Sequence, residues 1–271
     1  MKKLLICSMV AVAMLVGAGI VRAITFGEPD GGAHPHVGTL LFVQNGVGYF
    51  SCSGTLISPD VMVTAGHCTE QLGNKNDVTY VRFAEDPLEG MEDYPTVQDW
   101  LDSEWILAED VIPHPEFDDF NGAPFTFDVG LVILPEPEMR STYGILPDEG
   151  FLDEVLAEHG QSTNSWTAVG YGAQGIINPF RQNDFARFKA TTMLIDLHSR
   201  NNGPGVSATF TNHPGDGSGG TCIGDSGGPL FYQDTPIIGA IVSFGITPCI
   251  GVDYQFRLDT PVALDFINDH L

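Results

Sequence analysis

One short run in this 271-residue chain gathers the groups that acyl-transfer chemistry needs: Thr221-Cys222-Ile223-Gly224-Asp225-Ser226-Gly227-Gly228-Pro229. A serine hydroxyl is a weak nucleophile until a base takes its proton, a third group orients that base, and fixed donors meet the developing oxyanion. Glycines beside Ser226 let amide N–H groups converge on one point. The base and the carboxylate must come from elsewhere. Thr64-Ala65-Gly66-His67-Cys68 offers a histidine, and Phe127-Asp128-Val129-Gly130-Leu131 places a carboxylate at the head of an apolar run. Alone, each has an ordinary reading: a serine among glycines is a turn, a histidine a satisfied core residue, an aspartate a strand-edge charge. Together they supply the base His67, the orienting Asp128 and the nucleophile Ser226.

The order His67, Asp128, Ser226 differs from that of the subtilisin and α/β-hydrolase triads. In these three motifs, and over most of the chain from Ile24 to Leu271, the sequence resembles the trypsin/chymotrypsin-like serine proteases in their secreted bacterial form. The resemblance implies an all-β fold of two six-stranded antiparallel β-barrels packed together, spanning 24–140 and 141–271, with a C-terminal helix. It implies a serine endopeptidase working through an acyl-enzyme on protein or peptide substrates, with no cofactor and no metal; the sequence leaves the oligomeric state open, a monomer being one expectation. Backbone N–H groups of Gly224 and Ser226 would form the oxyanion hole. Asp225, flanking the nucleophile, would turn inward and pair with the α-ammonium of a mature N-terminus at Ile24. A variant cut after Ala18 would leave a five-residue pro-segment. A non-catalytic relative that keeps the barrels as a binding module is the alternative, and an esterase a weaker third.

The primary pocket is expected around Gly220, Thr221, Ser243, Gly245 and Asp253. In the family it resembles the pocket floor lies six residues before the nucleophile, so the resemblance puts Gly220 there with no carboxylate, and Gly245 matches a wall that glycine leaves open. Apolar residues before the cleaved bond are therefore favoured. Asp253, near the opposite wall, would favour a basic residue instead if it points inward.

The elements that must position these groups read as many short β-runs with Gly and Pro punctuation, which suggests a β-sandwich or barrel rather than βαβ units. Examples are 36–43, 48–57, 61–65, 78–83 and 129–134 in the first half, and 165–171, 188–195, 205–210, 229–232 and 237–244 in the second. Residues 151–158 read as helical. Thr260 followed by Pro261 is an N-cap with proline at the first helical position, opening a helix over 262–271. Between Glu85 and Asp110 the chain turns acidic around Trp100, Trp105 and Ile106. A solvated acidic loop is the preferred reading, and a calcium site the rival, because no regular ligand spacing is present.

Met1-Lys2-Lys3, an apolar run to Val21, and Val21-Arg22-Ala23 have the shape of a signal peptide over 1–23 with a cleavage site. The rival reading is an uncleaved anchor. Removing the leader takes away Lys2, Lys3, Arg22 and no carboxylate, so 8 basic side chains would face 35 acidic ones, a net of -27 against -24 for the whole chain. Such a surface argues against nucleic acid and anionic membrane as partners. Cys7 lies in the leader, and Cys52, Cys68, Cys222 and Cys249 remain. An even count in an exported chain favours disulfides, and zinc is disfavoured for lack of a Cys-x-x-Cys pair. Four cysteines allow three pairings, among which the resemblance implies Cys52 with Cys68 and Cys222 with Cys249.

Overall fold

Runs of β-branched and aromatic residues build two curled antiparallel sheets in this computed structural model, which describes residues 24–44, 47–69, 77–177, 180–182, 184–203 and 205–271. The leader expected over 1–23, with Cys7, lies outside the described residues. The first sheet runs Ile106–Leu107, Val78–Arg82, Val37–Gln44, Val47–Leu56, Val61–Thr64, Gly130–Ile133, Asp110–Pro113. Its two outer segments are neighbours in the chain. Ile106–Leu107 pairs with Val78–Arg82, while Asp110–Pro113 pairs with Gly130–Ile133 at the far end. One bent stretch thus joins both edges, so these segments act as six strands closed on themselves, which removes the exposed edges.

The second sheet closes in the same way. Phe188–Thr192 pairs with Trp166–Gly170, and Leu194–Asp196, just beyond Met193, pairs with Ser207–Asn212 at the other end. Pro229–Tyr232, Ile238–Gly245 and Gly251–Arg257 lie between. The short strand Glu28–Pro29 adds to Phe188–Thr192. The start of the first expected half therefore docks on the second sheet, and Ile24 is buried in that sheet's core with Leu152, Trp166, Phe210 and Leu230.

A further apolar cluster lies between the sheets. It joins Val37, Val63 and Leu131 of the first to Val169, Phe231 and Phe256 of the second, with Ala263, Phe266 and Ile267 of the helix Pro261–Asn268. Thr260 caps that helix, its hydroxyl accepting from Ala263 N, with Pro261 at the first position as expected. The helix read over 151–158 extends over Phe151–Thr163, with Gly160 out of helical geometry.

The acidic stretch is more than a solvated loop. It contains the helix Val97–Glu104, capped by the Thr96 hydroxyl, and buries Trp100, Leu101 and Trp105 with Leu41 and Tyr80. Arg82 runs beneath it, 5.4 Å from the Trp100 ring centre, and donates to Pro87 O, Glu89 O and Glu104 Oε2. Burial of the two tryptophans supplies the apolar free energy that holds the stretch, while nearly all its carboxylates stay exposed and hydrated.

Candidate active site

His67 sits in the single turn Gly66–Cys68, which follows the buried strand Val61–Thr64 and is stapled by the Cys52–Cys68 disulfide, Cα–Cα 6.1 Å. Asp128, at the entry to Gly130–Ile133, is fully buried. Its Oδ1 accepts from His67 N at 2.9 Å, both oxygens lie 3.0 Å from His67 Nδ1, and Oδ2 accepts from Ser243 Oγ at 2.5 Å. A buried carboxylate is tolerable only when so satisfied. The ring of His67 is thereby oriented, with Nε2 as its remaining nitrogen. Burial alone would lower the imidazole pKa, but the charge and hydrogen bond of Asp128, helped by Asp119, raise it above the ordinary value.

The serine loop is pressed onto this turn. A Cβ on Gly227 would meet Thr64 Oγ1, Ser53 O and Ala65 N, so only glycine, here at φ +77°, fits. Ser226 O accepts from Ser53 N at 2.7 Å, and Cys68 Sγ lies 3.7 Å away. The Ser226 backbone therefore lies against the turn that carries His67, and no hydrogen bond joins its hydroxyl to the ring among the described contacts; in the absence of substrate such bonds are commonly long. Asp225, Gly227 and Gly228 spend their N–H groups on Cys222 O, Val242 O and Asp225 O, and no described bond uses those of Gly224 or Ser226. Cys222 is bonded to Cys249, Cα–Cα 5.3 Å.

Beside Ser226 opens a cavity of about 180 Å³ lined by Thr221, Ile223, Val242, Phe244, Gly245 and Ile246 among others. Ser243 lines it too, but its hydroxyl is committed to Asp128. Gly220 and Asp253 are not in the lining. Gly220 is wedged against Asn212 and donates its N–H to Thr25 O. Asp253 lies behind Gly245 and Thr221, buried, accepting from Thr221 N, Thr221 Oγ1 and Asn212 Nδ2 at 2.7–3.0 Å. Burial pushes its carboxyl up to about 6 against those hydrogen bonds.

No hydrogen bond or ion pair among the described contacts joins Ile24 to Asp225. Asp225 is fully buried and accepts from Gly172 N at 2.8 Å and Cys222 N at 2.9 Å. Burial raises its pKa to about 7 despite these two donors. Ile24 points into the second core instead, one residue from the Thr25 bridge to Gly220.

The trypsin family model matches residues 24–267, nearly the whole described chain. The chain belongs to the trypsin family. Trypsin-1 of Gadus morhua is 26% identical over 206 residues, covering 73% of this chain and 72% of its own length. Chymotrypsin-like elastase family member 1 of Homo sapiens is 27% identical over 196 residues, covering 71% and 68%. The structure of HL collagenase superposes with a TM-score of 0.64 at 20% identity, covering 91% of this chain and 97% of its own. A mutant of human heparin binding protein gives 0.65 at 17%, covering 91% and 96%. These structures share the chymotrypsin-like fold of two packed antiparallel β-units. The two sequence relatives named are animal proteins, so they lend no support to a bacterial branch.

Several residues around the trypsin-like site carry no local sequence signal. Phe120 stands 5.6 Å from the His67 ring and 6.1 Å from Phe244, closing one side. Ser53 braces the serine loop, donating to Gly224 O and accepting from Tyr171 N. Asn212 links Thr25 to Asp253. Only the long-range fold places them.

Proposed function

We propose that the protein is a secreted serine endopeptidase that hydrolyses peptide bonds through an acyl-enzyme. Ser226 attacks the scissile carbonyl, His67 takes the hydroxyl proton and returns it to the leaving amine, and Asp128 keeps His67 in the required tautomer. The N–H groups of Gly224 and Ser226 receive the oxyanion, where one donor is worth about 10²–10³ in rate. Membership of the trypsin family supports the hydrolase class, and the reading rests most on one observation: the buried Asp128 grips His67 through ring and backbone beside a serine loop whose two donors are unspent.

The substrate is a protein or peptide with an apolar residue before the cleaved bond. The cavity beside Ser226 is lined by Ile223, Val242, Phe244 and Ile246 among hydroxyl residues and carries no charged side chain, which favours this over a basic residue, and Asp253 is engaged by its own protein donors. The enzyme acts as a monomer, divided near residue 140, after a leader ending at Ala23 is removed. The freed α-ammonium of Ile24 then pairs with Asp225.

Labelling by a serine-directed phosphonate tests the reading. One equivalent should attach to Ser226 in folded wild-type protein with Ile24 free, and none to Ser226→Ala. A folded mature protein that never labels is instead a binding module on the same barrels.

A further inference from the structure

Away from the serine loop, a cavity of about 880 Å³ lies beside the entering N-terminal segment, bordered by Phe26, Glu28, His34, His36, Lys189 and Asp234 among others. None of these residues takes part in the proposed catalysis. His36 is the anomaly in its wall. It is 3% exposed, yet neither ring nitrogen has a hydrogen-bond partner. A buried polar group left without a partner is costly, and it calls for a ligand or an ordered water.

His34 is its neighbour in a His-Pro-His run, and Asp30 already holds it. Asp30 Oδ1 lies 2.5 Å from His34 Nδ1, and Asp30 Oδ2 accepts from His34 N. That leaves Nε2 as the ring atom of His34 available to a ligand. A carboxylate on one nitrogen of an imidazole is the arrangement that orients metal-binding histidines and raises their basicity. Both rings lie against Phe231, at 5.1 Å and 5.4 Å, and their centres are 6.2 Å apart. An ion bound at 2.0–2.1 Å from a ring nitrogen sits about 3.2 Å from the ring centre, so rings 6.2 Å apart share one ion from nearly opposite sides, and close by about 1 Å to hold it tetrahedrally.

We propose that His34 and His36 form a binding site for a late divalent transition metal such as Zn²⁺ or Ni²⁺, with water from the polar cavity completing the coordination. At the rim Glu28 is paired with Lys189 at 3.9 Å, and Asp234 adds negative charge to the approach.

Titration calorimetry with Zn²⁺ on the folded chain tests the site, run beside His67→Ala, because the proposed catalytic histidine is a competing ligand. One saturable site should persist in His67→Ala and weaken at least about tenfold in His36→Gln. Imidazole nitrogen signals of His34 and His36 should shift together during the titration of the wild type, a reading that does not depend on the variant folding. Loss of all saturable binding in a folded His67→Ala protein, unchanged affinity in a folded His36→Gln protein, or wild-type His34 and His36 signals that do not move, each overturns the assignment. The outcome is independent of whether Ser226 is labelled.

Discussion

At His67 three effects compete: burial disfavours the imidazolium, while the charge of Asp128 and its hydrogen bond favour it more, and Asp119 adds to them. The proposed base must be neutral, so kcat/KM is expected to fall with decreasing pH through a value above 6.5. A pH–rate profile whose acid limb lies lower contradicts that role. Ser226→Ala should lower kcat by at least ~10⁴-fold with substrate binding retained, since the hydroxyl acts only in the chemical step. Asp225 carries the opposite sign. Its pKa in the uncut chain, about 7, exceeds the ordinary 3.8, so its share of stability is full below that ordinary value and is lost as pH rises through about 7. An ammonium freed at Ile24 would reverse the loss by pairing with the ionised form. Calorimetry of cut and uncut chains should therefore show a larger gain in Tm on cutting at pH 8 than at pH 5; equal gains sink the pairing. Asp253→Ala should leave the cleavage preference apolar, and a lost preference for basic residues would show that the carboxylate reaches substrate.

At the scale of elements, the helix Val97–Glu104 shows how a stretch with an acidic composition earns a fixed structure. Its Thr96 cap and the burial of Trp100 at 2% exposure hold it against Tyr80 and Leu41. Trp100→Ala should cost about 3–5 kcal/mol by denaturant unfolding, through lost burial and the cavity left behind. A loss below ~1 kcal/mol would mean that the helix is an ornament on a complete barrel. The bent stretches that close the two sheets do quieter work. By joining opposite edges they leave the strand Gly130–Ile133 paired on both sides, which fixes the backbone just after Asp128.

Across the whole molecule, the two sheets are pinned by Arg187. Its Nε donates to Asp30 Oδ2, and its Nη1 donates to Val37 O, Phe83 O and Tyr171 Oη, so one buried guanidinium ties the two sheets and the N-terminal segment together. Replacing it by methionine leaves Asp30 buried without that cation, a loss expected at about 3–5 kcal/mol. Urea unfolding of Arg187→Met measures it, and the double change with Asp30→Asn should recover part of the loss, because no lone charge then remains buried.

The sequence by itself determined the catalytic candidates, the family and the C-terminal helix cap, because each is written in contiguous residues: Ser226 among its glycines, His67 beside Cys68, Thr260 before Pro261. Strand positions were legible within a few residues for the same reason. The pairing of Cys52 with Cys68 and Cys222 with Cys249 could be inferred only from resemblance, and Arg187 with Asp30, 157 positions apart, left no local trace. The places of Gly220 and Asp253 outside the cavity wall, and of His36 inside another, depend on side chains converging from distant strands. Tertiary structure decided these, since burial and hydrogen-bond satisfaction belong to the packed molecule rather than to any segment of it.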